Sequence, residues 1–174
     1  MPHLTVDQVL RGTKCPAQGV GSNWPLILQA LEAKGIGGVL TQIAAAATVA
    51  VETGSFAPVT ERMASITRQP DLYKRQRQYY PYIGRGFIQI TWKENYKRFG
   101  DLVGVNLVAF PTEACNPEVA AQVLAEFFVH RRVDQAAEDQ DWQRVRKLVN
   151  GGLNGWDVFH GHVERLLAEV ADGL

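Results

Sequence analysis

Apolar residues recur at helical spacing through most of the chain, most clearly in its second half. Val119, Val123, Leu124, Phe127 and Phe128 follow the i, i+4, i+5, i+8 pattern of a stripe turned towards a core. Ahead of them, Asn116 can accept hydrogen bonds from first-turn amides. Pro117 needs no donor at the first helical position, and Glu118 favours the positive helix end. This predicts a helix over 117–131. The same reasoning places helices near 23–34 (Trp24, Ile27, Leu28, Leu31), 38–53 and 92–100. Two more follow, at 141–149 (Asp141 as cap, then Trp142, Val145, Leu148, Val149) and 156–171 (Trp156, Phe159, Val163, Leu166, Val170). Between about 67 and 90 the periodicity is lost and Pro70, Pro81, Gly84 and Gly86 punctuate the chain, which predicts a loop with a short hairpin or ribbon. The longest apolar run, Ile43 to Val51, falls well short of the roughly 20 residues that span a bilayer and reads as a buried helix.

The pattern predicts one mainly α domain over residues 1–174, and the length supports it: 174 residues, 46% of them apolar, suffice to bury about two-thirds of the unfolded surface. Eighteen basic residues balance eighteen acidic ones, so net charge gives no pull towards nucleic acid. We expect neither a nucleic-acid nor a membrane partner, and a monomer. The opening Met-Pro-His-Leu-Thr-Val-Asp-Gln has no apolar h-region, which argues against a secretory signal peptide. Cys15 and Cys115 lack C-x-x-C spacing and read as free, partly buried thiols, with a long-range disulfide left open for a protein working outside a cell. His160 and His162, two apart on a helix, point about 200° apart, and His3 and His130 have no ligand neighbours at useful spacing. No metal and no cofactor are expected.

Two glutamates are candidates for chemistry. Glu52 ends a run of small apolar residues from Ala44, so its carboxyl is expected at the end of a packed helix, where partial desolvation would keep a general acid protonated. Glu61 lies nine residues on. One continuous helix would put the two on opposite faces, but Gly54 and Pro58 interrupt the interval and let the chain turn back. Each could equally be an ordinary helix-end carboxylate. Further on, Gly84-Arg85-Gly86-Phe87-Ile88-Gln89-Ile90-Thr91 leads into Asn95 and Tyr96. Gln89, Thr91 and Asn95 offer amides and a hydroxyl suited to sugar hydroxyl and acetamido groups, and Tyr79, Tyr80, Tyr82 and Trp92 could stack on apolar sugar faces. The glycines form no phosphate loop. Around them Arg62, Arg68, Lys74, Arg75, Arg77, Arg85, Lys93, Lys97 and Arg98 outnumber Glu61, Asp71 and Glu94, so this third of the chain is locally positive; it is either a solvated face or a surface that steers an anionic polymer.

Taken together, Val51-Glu52-Thr53-Gly54-Ser55-Phe56, then Glu61, the segment 84–96, and Val149-Asn150-Gly151-Gly152-Leu153-Asn154-Gly155 resemble glycoside hydrolase family 19, which holds plant-type chitinases and many bacteriophage endolysins. The short spacing resembles the endolysin branch. The resemblance implies a lysozyme-like helical bundle divided by a substrate cleft, with Glu52 as general acid and Glu61 as general base. By the same likeness Gln89, Thr91, Asn95 and Asn150 fall where the family binds the sugar chain, with Tyr96 beside Asn95 counted in that surface, and Thr91 would help hold the attacking water. One departure stands out: relatives often carry an arginine shortly after the Asn-Gly-Gly-Leu-Asn-Gly motif, and Trp156-Asp157-Val158-Phe159-His160 has none. The expected function is inverting hydrolysis of β-1,4 bonds in peptidoglycan by a muramidase-type endolysin, made in a host cytoplasm and acting at the bacterial wall. Chitin hydrolysis and a non-catalytic wall-binding module are the alternatives.

Overall fold

A computed structural model describes residues 3–171. Nine α-helices run in chain order: α1 (Val6–Thr13), α2 (Ala17–Ala33), α3 (Val39–Thr53), α4 (Pro70–Tyr79), α5 (Lys93–Val103), α6 (Pro117–Arg131), α7 (Val133–Glu138), α8 (Trp142–Asn150) and α9 (Trp156–Ala171). A 3₁₀ turn at Pro111–Cys115 precedes α6. The two strands, β1 (Val59–Thr60) and β2 (Arg85–Gly86), pair antiparallel with Val59 opposite Gly86 and Thr60 opposite Arg85. The mainly α expectation with a minimal ribbon holds.

The bundle is built around α3. Every residue from Thr41 to Ala50 is buried, as expected of a helix apolar on all sides. Ala44 to Ala47 let neighbouring backbones come close, and α9, α7, α2, α1 and α8 all pack against it. Around this axis lie Trp24, Phe128, Phe159 and Leu166, all buried. The Trp24 indole donates to the Leu4 carbonyl at 2.7 Å, which ties the chain ahead of α1 to α2. No helix among the described residues is long and apolar enough to cross a membrane. The start of α6 is capped as its sequence predicts: the Asn116 side chain accepts from the amides of Glu118 and Val119, with Pro117 in the first turn.

Three parts of the sequence reading are corrected. The stretch expected to be a loop contains α4, which starts on Pro70 and buries only Gln76 and Tyr79. It has no apolar stripe to betray it, and proline is a helix initiator in that position rather than a breaker. The ribbon is real, but β2 finds its partner at 59–60, before the predicted window. The helix α2 begins six residues earlier than expected and carries Pro25 inside it, while α1 and α7 were not anticipated.

Candidate active site

The segment carrying Glu52 is fixed by its own side chains. The Thr53 hydroxyl donates to the Val49 carbonyl at 2.8 Å and accepts from the Phe56 amide at 3.0 Å. Gly54 caps α3 at φ 65°, a conformation that glycine adopts without strain. Phe56, also left-handed at φ 56°, is fully buried against Trp24. The Asn23 amide pins the turn by donating to the Phe56 carbonyl at 3.0 Å. So Glu-Thr-Gly-Ser-Phe is a rigid corner that holds Glu52 on the last turn of α3.

Glu52 is only partly exposed, and it has a cation beside it that the sequence reading did not include. Arg146, on α8, donates through Nη1 to its Oε1 at 2.6 Å; the two side chains are 4% and 18% exposed respectively. The end of α3 carries the negative pole of the helix dipole, which disfavours an anion, and the guanidinium balances it. The same guanidinium donates through Nε to the Asn154 carbonyl at 2.8 Å and lies over the Phe159 ring. The arginine absent after the Asn-Gly-Gly-Leu-Asn-Gly motif is thus matched by one before it. Sequence reasoning missed Arg146, although a signal exists: it stands in the stripe 142, 145, 146, 149, where the other three residues are apolar.

Glu61 follows β1 and is clamped by Gly84 at two points. Its amide donates to the Gly84 carbonyl at 2.7 Å, and the Gly84 amide donates to its Oε2 at 3.0 Å. Two side chains of α4 hold the other oxygen, Gln76 through Nε2 at 2.7 Å and Tyr79 through its hydroxyl at 3.1 Å. Burial pushes this carboxyl's pKa up. The bonds from Gln76, the Gly84 amide and Tyr79, with the charge of Arg75, outweigh that and hold it below the ordinary carboxylate range. Burial and the neighbouring Glu61 in turn raise the Tyr79 phenol.

The expected sugar-binding residues divide. Gln89, Thr91 and Asn95 line one hollow of about 290 Å³ with Lys147, Val149 and Gly151 from the end of α8, so two distant motifs meet. Within it the Gln89 amide nitrogen is already committed to the carbonyls of Val59 and Gly86, at 2.9 and 3.0 Å, leaving its oxygen as the free function. The Asn95 amide donates to the Thr91 carbonyl at 2.7 Å, and the Thr91 hydroxyl to the Gln89 carbonyl at 3.1 Å. Asn150 is exposed and shapes its own turn, donating to the Asn154 carbonyl and accepting from the Gly152 amide.

Tyr96 is a correction. It is wholly buried, its hydroxyl donating to the Ile83 carbonyl at 2.5 Å and accepting from Arg85 at 2.9 Å. Burial, against the opposing pull of Arg85, raises its phenol to about 12. It therefore holds the backbone behind the ribbon and presents nothing to a sugar. Arg85 is buried with it and leaves the positive surface. Of the candidate stacking rings, Tyr80 (53% exposed) and Trp92 (46%) are open. Tyr79 is buried, its ring tilted against that of Trp92 with 5.1 Å between centroids, and Tyr82 packs edge-on to Tyr96. A larger hollow of about 600 Å³ lies along α5, at Gly100, Asp101 and Val105. It includes neither glutamate, and Asp101 is paired with Lys97. Cys15 and Cys115 are free thiols.

The same architecture occurs in a bacterial family 19 chitinase, which superposes with a TM-score of 0.67 at 19% identity over 93% of this chain and 94% of that one. The fold is that of the family 19 chitinases. Chitinase C from Streptomyces griseus HUT6037 matches similarly, with a TM-score of 0.63 at 18% identity over 96% and 90% of the two chains. In sequence the chain is chitinase-like as well. It is 31% identical over 148 residues to an endochitinase of Arabidopsis thaliana, and 27% over 147 residues to a second endochitinase of that plant. Each alignment takes in 83% of this chain but 52% of the relative, so the chain spans about half the length of the curated proteins it matches. No family model matches it.

Proposed function

We propose that the protein hydrolyses β-1,4 bonds in an N-acetylated polysaccharide, with Glu52 as general acid and Glu61 as general base. The observation that carries this reading is the contrast between the two carboxyls. Glu61 is held ionised by three donors, whereas Glu52 meets a single guanidinium, which binds one of its oxygens and leaves the other open to a substrate. Two carboxyls in unlike environments are what acid–base glycoside cleavage requires. Glu52 would protonate the glycosidic oxygen while Glu61 takes a proton from water on the opposite face of the ring. Water attack then leaves a product of inverted anomeric configuration, a geometry that needs about 6.5–9.5 Å between the carboxyls. Gln89 Oε1, Thr91 and Asn95 offer hydroxyl- and acetamido-binding groups in the adjoining hollow.

The substrate we favour is peptidoglycan, cut as a muramidase cuts it, because the positive charge near Glu61 suits an anionic wall. Chitin is the second reading, favoured by the endochitinase relatives and the chitinase structures. NMR of fresh products should show the inverted anomer, and mass spectrometry of the new reducing ends distinguishes the two substrates. Replacing Glu52 by Gln should abolish turnover with folding intact; an E52Q protein that still lyses walls or cuts chitin oligomers refutes the assignment.

A further inference from the structure

The chain is neutral as a whole, but its charge is unevenly placed. Between residues 62 and 79 stand Arg62, Arg68, Lys74, Arg75 and Arg77 against the single acid Asp71, a net of four positive charges. The rest of the chain then carries thirteen basic and seventeen acidic residues, a net of four negative charges. All five cations are exposed. None takes part in an ion pair among the described residues, although charges elsewhere are paired, as in Arg11 with Glu169 and Lys97 with Asp101. Arg77 lies over the exposed Tyr80 ring at 5.5 Å. The helix that presents Lys74 and Arg77 outwards also turns Gln76 and Tyr79 inwards onto Glu61, where the charge of Arg75 is felt as well. One short helix therefore holds the base on one side and unneutralised cations on the other.

We propose that this outer face of α4 is a docking surface for the carboxylates of peptidoglycan, those of the lactyl groups and peptide stems on the strand being cut. This rests on the peptidoglycan reading above. A neutral polymer would gain nothing from the face, whereas an anionic strand bound at Glu61 would lie one helix diameter, roughly 10–12 Å, from its charges. Steering of this kind raises association rates by roughly 10- to 1,000-fold and fades with salt.

The test uses the full chain and its R68E/K74E/R77E variant, which leaves Arg75, Gln76 and Tyr79 in place. Both are assayed at low and high salt on three substrates: native sacculi stripped only of phosphate polymers, the same sacculi with their carboxylates amidated, and a soluble neutral N-acetylglucosamine hexamer, with unstripped sacculi as a control. The variant should lose at least tenfold in kcat/KM on native sacculi at low salt, with a flattened salt dependence, and stay within about twofold on the other two. Equal losses on all three substrates, or no loss on native sacculi, overturn the docking role. A loss confined to sacculi that retain phosphate polymers overturns the carboxylate assignment. A wild-type protein that cuts the hexamer but leaves sacculi intact overturns the peptidoglycan reading, and the docking role with it.

Discussion

Tyr79 is the cleanest point at which to test how Glu61 is held. Its hydroxyl donates to Glu61 Oε1 at 3.1 Å, while its ring packs against Trp92. Tyr79→Phe removes the donor and keeps the packing. Hydrogen bonds to charged groups contribute about 1.5–3 kcal/mol. Gln76 still holds the same oxygen and solvent screens a carboxylate that is only half-buried, so the contribution falls below that range, to about 1 kcal/mol. For a chain of this size that is a fall in Tm of about 2–4 °C. The sign with pH is fixed by the native environment. The Glu61 carboxyl lies below its ordinary range, so its stabilisation is present above the unfolded-state pKa and is lost as pH falls through the lower folded-state value. Thermal melts of wild type and Y79F should therefore differ at neutral pH and converge in acid. With Glu61 as the base we propose, the acid limb of the kcat/KM pH profile should move upwards in the variant. Melts that differ by the same amount at every pH, or an acid limb that stays in place, would refute the argument that Tyr79 acts through the charge of Glu61.

Arg146→Met removes a buried cation from Glu52 and strips the Asn154 carbonyl of its donor. Glu52 keeps some access to water, so the loss should lie below that of a fully buried pair, at about 2–3 kcal/mol in denaturant titration, with a larger proportional loss in kcat than in KM. Arg146→Lys should not restore activity, because an ammonium cannot serve Glu52 and Asn154 together; full activity in the lysine variant would show that charge alone is needed. A methyl group on Gly19 would overlap the Ser55 carbonyl oxygen, a backbone atom of the corner after Glu52. Gly19→Ala should therefore lower Tm and kcat together, whereas Gly21→Ala, in open space within α2, should leave kcat unchanged and raise Tm slightly.

Much of this architecture can be read in the sequence because the helices that bury a stripe announce it. α6, α8 and α9 begin within a residue of the positions their periodicity indicates. α4 escapes the same reasoning because its stability comes from Gln76 and Tyr79 binding a neighbouring loop rather than from an apolar face. At the site, Glu52 and Glu61 stand out once the motifs are read jointly, yet their partners do not. Arg146 reaches Glu52 across 94 positions of sequence through the packing of α8 on α3, a tertiary fact that no local pattern encodes. Tyr96 shows the converse error. It lies inside the segment read as sugar-binding, but the turn of α5 points its ring into the core, and only burial distinguishes a residue open to a ligand from one that supports its neighbours.

The double grip of Gly84 on Glu61 bears on how such a protein can diverge. Gly84 fixes the main chain and one carboxylate oxygen of Glu61, and Arg62 and Ala64 anchor the Gln76 that holds the other, so the stretch from Ser65 to the start of α4 makes no hydrogen bond to either clamp. Insertions there could lengthen or recharge the rim of the site, and so retune which polymer is admitted, without displacing Glu61, the base of the proposed mechanism.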